Sequence, residues 1–550
     1  MADDQQAMLL AAIQRLNDIG IDLSREHDED HMLERILVAA KDLTRADGGS
    51  IYSMLAEDAL RFRIIHTDSL GLAQGGQWGP IVGLPDIPLY REGEPNHASV
   101  VAHAVLERTT VVIDDAYAVE DFDFSGTRAF DARTGYRSVA MLTVPMCDHR
   151  DEVIGVLQLL NPHDAAGAMT TFNASQVRLV ESLASQASIM LTNGQLVQQV
   201  SNLFESFVKL IAHAIDEKSP YTGSHCRRVP ELTMSLAEAA HATAVGPLAD
   251  FQLSDDDRYE LRIASWLHDC GKITTPEWIM DKATKLERIH DRINEVATRF
   301  AVLRQMILGE YAAETTDVSA GGSAAAAQRR DADLQQLDDD LNFLKRVNIG
   351  GEHMSDEDVA RVQAIAQRQW QDAHGQWLPL LRPDEVDNLC VRRGTLLREE
   401  RDIINHHIVA TIDMLEQLPF PKHLRHVPEI AGGHHERMDG RGYPRGLTRE
   451  QMSVQARCMG IADIFEALTA ADRPYKKAMP LSQALHILGN MKLNGHIDPD
   501  LFDIFIRDGI WRRYAEDYLR PEQNDAVDLR QIPGYQAAVA AAGHKPDESP

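Results

Sequence analysis

Leu-His-Asp-Cys-Gly-Lys (267–272) and His-His-Glu-Arg-Met-Asp-Gly-Arg-Gly-Tyr-Pro (434–444) decide how the second half of this chain is read. Imidazole and carboxylate together suit borderline divalent metals such as iron, manganese and zinc, and an aspartate can bridge two of them. One His-Asp pair alone often merely caps a helix or hydrogen-bonds in a core. Two such elements, distant in sequence, read as halves of one metal site. Leu261–Leu267 has helical character and runs directly into His268-Asp269, so the pair sits at a helix end. Lys272 then stands where an ammonium holds an anionic oxygen as a point charge, or where it offsets a helix dipole.

Further ligand types lie outward from these elements. His225 follows Pro220-Tyr221-Thr222, His407 lies in Ile-Ile-Asn-His-His, and Asp463 interrupts the apolar run Gly-Ile-Ala-Asp-Ile-Phe-Glu-Ala-Leu. A lone buried aspartate costs several kcal/mol of desolvation unless paired or metal-bound. Asp463 is therefore the clearest anomaly in its helix. An isolated histidine is more often a satisfied core or surface residue, and only the joint occurrence favours ligands.

Bulk composition sets the limits. The chain has 550 residues and 44% hydrophobic content, enough for at least two cores. A formal charge of −29 argues against a binder of nucleic-acid polymers, which needs a basic surface. The five cysteines (147, 226, 270, 390 and 458) lack metal-finger spacing and read as reduced thiols. The start, Met-Ala-Asp-Asp-Gln-Gln, carries no signal-peptide pattern. No segment approaches the roughly 18 apolar residues of a membrane helix. The expectation is a cytoplasmic protein without membrane contact.

Along the chain, a short helical segment over 1–24 precedes a mixed α/β pattern over 25–193. Met32–Leu43 has helical spacing, followed by strand-like runs at Gly49–Leu55, Arg61–Thr67, Val111–Asp114, Val139–Val144 and Val153–Leu160. The last two read as a hairpin across Cys147–Glu152. A long helix over 175–217 connects to the next domain. Its Leu196, Val200, Leu203, Phe207, Leu210 and Ala214 are spaced 4-3-4-3-4, which suits either a core-facing helix or a parallel dimer seam. The second domain spans 201–520 and is strongly helical, with candidates at Glu231–His241, Arg258–Leu267, Glu399–Leu418, Val454–Ala471 and Leu481–Met491. Residues 289–393 read as an insertion, with Ser319–Ala327 as a low-complexity linker between charged helices. The tail over 525–550 reads as disordered.

The second domain resembles the HD-GYP family of cyclic dinucleotide phosphodiesterases. The resemblance rests on Pro-Tyr-Thr-Gly-Ser-His (220–225), the two opening elements, Asp463 with Ala467-Leu468-Thr469, Arg473-Pro474-Tyr475-Lys476 and Gly495-His496-Ile497-Asp498-Pro499. It implies an all-α domain holding two divalent metals, iron or manganese. One metal takes His225, His268, Asp269 and Asp463. Asp269 bridges to a second that takes His407, His434 and His435. A hydroxide between the metals then attacks phosphorus, making Asp269 and Lys272 the catalytic pair. Lys272, Arg473, Lys476 and Tyr443 contact substrate. The implied reaction turns cyclic di-GMP into pGpG or onward into GMP. The alternatives are an enzyme for another cyclic dinucleotide, such as cyclic GMP-AMP, and a silent scaffold meeting proteins through the Gly-Tyr-Pro surface. Cys270 replaces a more usual aliphatic residue. His406 adjoins His407 and is the fallback ligand. Tyr221 stands where some members carry a third-metal glutamate, which favours two metals. The insertion splits a family region between Lys282–Glu287 and Gly394–Glu400.

The first domain is similar to GAF sensor domains through Phe130-Asp131, Thr134-Gly135-Tyr136-Arg137-Ser138, Pro145, Gly155–Asn161 and Phe172. Pro162, Gln176 and Val177 depart from the pattern of cyclic-nucleotide binders. A cyclic nucleotide is therefore one candidate ligand beside an unknown one or a purely structural role. Cys147 gives no support to a bilin or haem. A homodimer through the connecting helix completes the expectation.

Overall fold

The computed structural model describes residue 14 and residues 18–21, 28–55, 58–218, 225–316, 322–351, 353–470 and 479–536. The chain divides into two units, residues 1–203 and 204–550. No described helix is long and apolar enough to cross a membrane. Most of the expected 1–24 segment lies outside the described residues.

In the first unit, helix α1 (Glu29–Thr44) leads into strands β1 (Ala46–Leu55), β2 (Ala59–Thr67) and β3 (Leu72–Gln74). Helices α2 (Val100–Glu107) and α3 (Ser125–Thr134) then alternate with β4 (Val111–Ile113), β5 (Met141–Cys147) and β6 (Val153–Pro162). The antiparallel sheet runs β3-β2-β1-β6-β5-β4, and Ile87–Pro88 adds to β2. The expected hairpin is present: β5 pairs with β6, and Asp148 N donates to Glu152 O at 2.9 Å. Strand alternation sends Ile51 and Leu157 to one face, against Ile36, Leu37, Val180 and Leu183. It sends Tyr52 and Val156 to the other, against Val101 and Val105. A sheet covered on both faces follows from these short alternating runs.

Two of the family-like residues work inside this fold. Asp131 accepts from Ser138 N (2.8 Å), Ser138 Oγ (2.9 Å) and Tyr117 OH (2.7 Å). Asn161, left-handed at φ 53°, ties down Val139 N at 2.8 Å and Arg137 O at 2.8 Å.

Helix α4 runs from Ala174 to Lys218 without a break. Its core-facing residues in the second unit are Val208, Ala212 and Ile215. The 4-3-4 series stays exposed instead, from Leu196 at 45% to Val200 at 64%. The face that packs is therefore not the series read as a seam.

The second unit is helical: α5 (His225–His241), α6 (Asp255–Leu267), the insertion helices α7 (Ile293–Thr316), α8 (Gly322–Asn348), α9 (Asp356–Ala366) and α10 (Pro383–Leu389), then α11 (Arg398–Glu416). There follow α12 (Val427–Gly432), α13 (Val454–Thr469), α14 (Leu481–Leu493), α15 (Pro499–Arg507) and α16 (Ile510–Tyr518). Leu236, Leu261, Phe465, Phe502 and Phe505 meet in its main core. Helix α5 reaches back through Pro230 to His225, further than its apolar spacing indicates. A proline near a helix start removes a single intrahelical bond.

Two expectations are corrected. The Ser319–Ala327 stretch is helix from Gly322 onward, because consecutive alanines are the best helix formers once a packed helix continues them. Residues 525–536 are also ordered: Ile532 is buried in the main core, and Lys492 Nζ donates to Gly534 O at 2.7 Å. The remainder of the tail lies outside the described residues.

The insertion has its own apolar core of Val296, Phe300, Leu337, Phe343, Leu344, Val362 and Leu381, joined by Leu286 just before it. Lys282 and Glu400 close the chain across it. Lys282 Nζ donates to both Glu400 oxygens (2.9 and 2.7 Å) and to Asn388 Oδ1 (2.8 Å). Glu400 also caps α11 by accepting from Leu397 N at 2.9 Å. Removing one member of a buried pair strands the other's charge. Glu400→Ala is expected to destabilise the second unit by about 3 kcal/mol, read as a lower urea midpoint for its unfolding.

Candidate metal centre

Helix α6 begins with a Ser254–Asp257 capping box and buries Leu261, Ile263, Ala264 and Leu267 along one face. It ends at His268, and the chain tightens into a 3-10 turn over Cys270–Thr274. Gly271 is why that turn can lie on α11. A Cβ there would stand 2.0 Å from His407 O and 2.5 Å from Thr411 N. Its own N–H donates to Thr411 Oγ1 at 2.9 Å. This contact brings Asp269 beside His407, with 3.3 Å between Asp269 Oδ1 and His407 Nε2.

The expected ligands converge. His225 Nε2 lies 3.2 Å from Asp269 Oδ2, 3.3 Å from Asp463 Oδ1 and 3.3 Å from His268 Nε2. His268 Nε2 is 3.2 Å from Asp269 Oδ2. Three groups could each hold an ion: His225 with His268 and Asp463, His268 with Asp269 and His434, and His407 with His434 and His435. His406, by contrast, is exposed while His407 is buried.

The far ring nitrogens are fixed. His268 Nδ1 donates to Ser265 O at 2.8 Å and His434 Nδ1 to Ala431 O at 2.6 Å, while His407 Nδ1 donates to Ile404 O. Each uses a carbonyl of its own preceding turn, so Nε2 is left to face the centre. His225 has a different anchor. Its Nδ1 donates to buried Glu466 at 2.5 Å, and Glu466 is held in turn by Arg228 Nε at 2.7 Å. Carboxylate-to-histidine contacts of this kind orient metal-binding rings. Neither Glu466 nor Arg228 was picked out by the sequence reading. The signal was available, since Glu466 interrupts the same apolar run as Asp463.

Charge is arranged for cations. Burial opposes ionisation of Asp269, yet Lys272, at 2.5 Å, and His268 hold its carboxyl well below the usual range. Burial likewise opposes ionisation of Asp463, and the bond from His225 together with the neighbouring histidines keeps it ionised. Burial and the neighbouring His435 push His434 far down, and burial takes His435 to about 4, so both offer neutral lone pairs. Asp269 Oδ1, His407 Nε2 and His434 Nε2 are buried with no hydrogen-bond partner among the described residues. Orphaned acceptors of this chemistry fit divalent cations.

The glycine-rich loop is built from below. Glu436, buried, accepts from Arg445 N (2.7 Å) and Leu447 N (2.9 Å), closing the turn. Gly442 lies so near that a Cβ would stand 2.4 Å from Glu436 Cα. Tyr443 stacks on His435, with ring centroids 4.9 Å apart. Asp498, also buried, accepts from Arg449 Nε at 2.8 Å and from Arg457. Arg473, Lys476 and the Pro220–Ser224 motif lie outside the described residues.

Family models match both units: a GAF domain over residues 28–191 and an HD domain over residues 380–501. The HD match includes His407, His434, His435 and Asp463 and leaves His225, His268 and Asp269 upstream. The chain is 44% identical over 81 residues to the 3'3'-cGAMP-specific phosphodiesterase 1 of Vibrio cholerae, covering 15% of this chain and 19% of that protein. It is 42% identical over 81 residues to a cyclic di-GMP phosphodiesterase of Pseudomonas aeruginosa, with the same 15% and 19% coverage. It is 31% identical over 140 residues to a cyclic di-GMP phosphodiesterase of Thermotoga maritima, covering 25% of this chain and 36% of the relative. The chain thus spans well under half the length of these curated relatives. The chain joins an N-terminal GAF domain to an HD domain whose homologues are HD-GYP cyclic dinucleotide phosphodiesterases.

Proposed function

We propose that this chain is a metal-dependent phosphodiesterase that opens cyclic di-GMP to pGpG under the control of its GAF domain. The observation that supports it most is that Asp269 Oδ1, His407 Nε2 and His434 Nε2 are buried together without a hydrogen-bond partner among the described residues. His225, His268, Asp269 and Asp463 would hold one cation, and Asp269, His407, His434 and His435 a second. Iron or manganese suits these nitrogen and oxygen donors. When bound, such a pair supplies Lewis acidity and a water acidic enough to be a nucleophile near neutral pH.

The residues of the chain do the rest. Lys272 presents a cation beside Asp269, where negative charge grows on the phosphoryl oxygens. Tyr443, braced on His435, offers a flat aromatic face at the rim. Arg473 and Lys476 are assigned to the phosphates by sequence alone. In the reaction water adds to phosphorus, the bond to the ribose 3' oxygen breaks, and that oxygen takes up a proton. A 5'-phosphorylated linear dinucleotide results. Cyclic GMP-AMP is the second reading, because relatives named for 3'3'-cGAMP stand beside those named for cyclic di-GMP.

The full chain, purified reduced with manganese or iron, is expected to convert cyclic di-GMP to pGpG by chromatography, faster than it converts cyclic GMP-AMP. Metal-loaded protein inert towards both substrates overturns the enzyme reading, and the reverse preference overturns the substrate. Asp269→Ala and His407→Ala are expected to lower turnover on the order of 10²-fold or more and to reduce bound metal. His406→Ala should keep both near the parent value; loss there instead would reassign the ligand.

The exposed series Leu196, Val200, Leu203, Phe207 and Leu210 supports a homodimer through α4, since knobs at this spacing suit a second copy of the same helix. Leu203→Glu is expected to convert a dimer to a monomer in sedimentation velocity. A parent chain that sediments as a monomer removes the idea.

A further inference from the structure

We infer that the last turn of α4 is a clamp that sets the spacing of His225 against Asp269, with Lys218 the positioning residue for the turn that bears Lys272. Lys218 Nζ donates to three carbonyl oxygens, those of Lys272 (3.1 Å), Ile273 (2.5 Å) and Thr275 (2.6 Å). An ammonium has three hydrogens, and all three are used here. The carbonyls belong to the end of the 3-10 turn, where a cation is favoured; that of Lys272 also accepts from Thr275 N at 3.1 Å.

The second prong is Asp216, buried and two residues earlier. It accepts from Cys226 N at 3.4 Å, at the first turn of α5. Residues two apart on a helix leave it on different sides, so the two prongs reach two different segments. One segment begins with His225. The other follows directly on His268 and Asp269. The gripped segments meet at the centre, where His225 Nε2 is 3.2 Å from Asp269 Oδ2. Val208, Ala212 and Ile215 seat this part of α4 in the same core as Cys226 and Cys270, which lie next to those ligands. The helix is thus fixed along one face, and its last turn ties together, by polar contacts, two ligand-bearing pieces that also pack on each other in this core.

The assignment rests on the metal-site reading above and makes a demand of its own. Loss of Lys218 must loosen residues 270–276 and weaken the half-site containing His225 more than the half-site of His407, His434 and His435, which shares Asp269. The test uses the full chain with Lys218→Met, which keeps the length of the stem and removes the donors, and Asp216→Asn for the other prong. Lys218→Gln is the substitute where the methionine variant does not fold. Manganese alone is titrated calorimetrically, amide exchange is read by mass spectrometry over 270–276, and turnover of cyclic di-GMP is followed in parallel.

The expected result is about 10-fold or greater weakening of one manganese site with a clearly smaller change at the other, faster exchange confined to this turn, and a fall in kcat larger than any change in KM. Unchanged exchange together with parent-like manganese affinity at both sites overturns the clamp. Equal weakening of both sites also overturns it, since that marks general destabilisation. A parent chain that binds manganese but hydrolyses no cyclic dinucleotide defeats the proposed function and leaves the manganese and exchange results to decide the clamp.

Discussion

A carboxylate with 2% of its surface exposed stays ionised only when the protein surrounds it with charge and donors, and Asp269 is such a group. Lys272, His225, His268 and His407 all approach it. They come from three separate parts of the chain: the end of α6 with the turn that follows it, the start of α5 and the middle of α11. The packing of these elements is thereby tied to one carboxyl group. Gly271 permits the approach of His407, and the core of Phe465, Phe502 and Phe505 supports α13 behind Asp463.

Most of this was legible in the sequence because the site is made of residues that are costly to bury. Asp463 in an apolar helix announces itself, and so do two histidine-rich elements with glycines beside them. The choice of His407 over His406 was a matter of helix phase, and the structure buries the one and exposes the other. Less legible were the residues that hold the ligands. Glu466 shares the apolar run of Asp463, but Arg228, Asp216 and Lys218 are ordinary helix-surface types in sequence, and only the packing of α4 and α5 brings them to the site. Pairing across hundreds of residues leaves no local period to detect.

The fold shows the same division. Alternating runs in the first unit indicated its strands, while their ends moved by a few residues because tertiary pairing, not propensity, decides where a ladder stops. The insertion was misjudged where composition spoke against context. Serine, glycine and alanine over 319–327 read as a linker, yet alanine continues a helix wherever a neighbouring helix gives it something to pack on, and α7 lies alongside α8. The tail was misjudged for the opposite reason. Ile532 is buried in the core, and Val527, Leu529 and Tyr535 pack against it, so a largely polar segment still docks.

These placements share a consequence for how the site comes into being. His268, His407 and His434 are each oriented by a carbonyl of their own helix, and His225 by Glu466. None of these bonds needs a cation. A zinc finger differs, because there the metal supplies the folding energy and the ligands are unordered without it. Here the apolar core orders the helices, the helix ends orient the rings, and charged side chains at those ends fix the distances. A site held this way would take cations without the cost of ordering these rings, so contacts one layer out from the candidate ligands would bear on affinity. Sequence comparison restricted to ligand residues therefore misses the part of the protein that sets the strength of the centre.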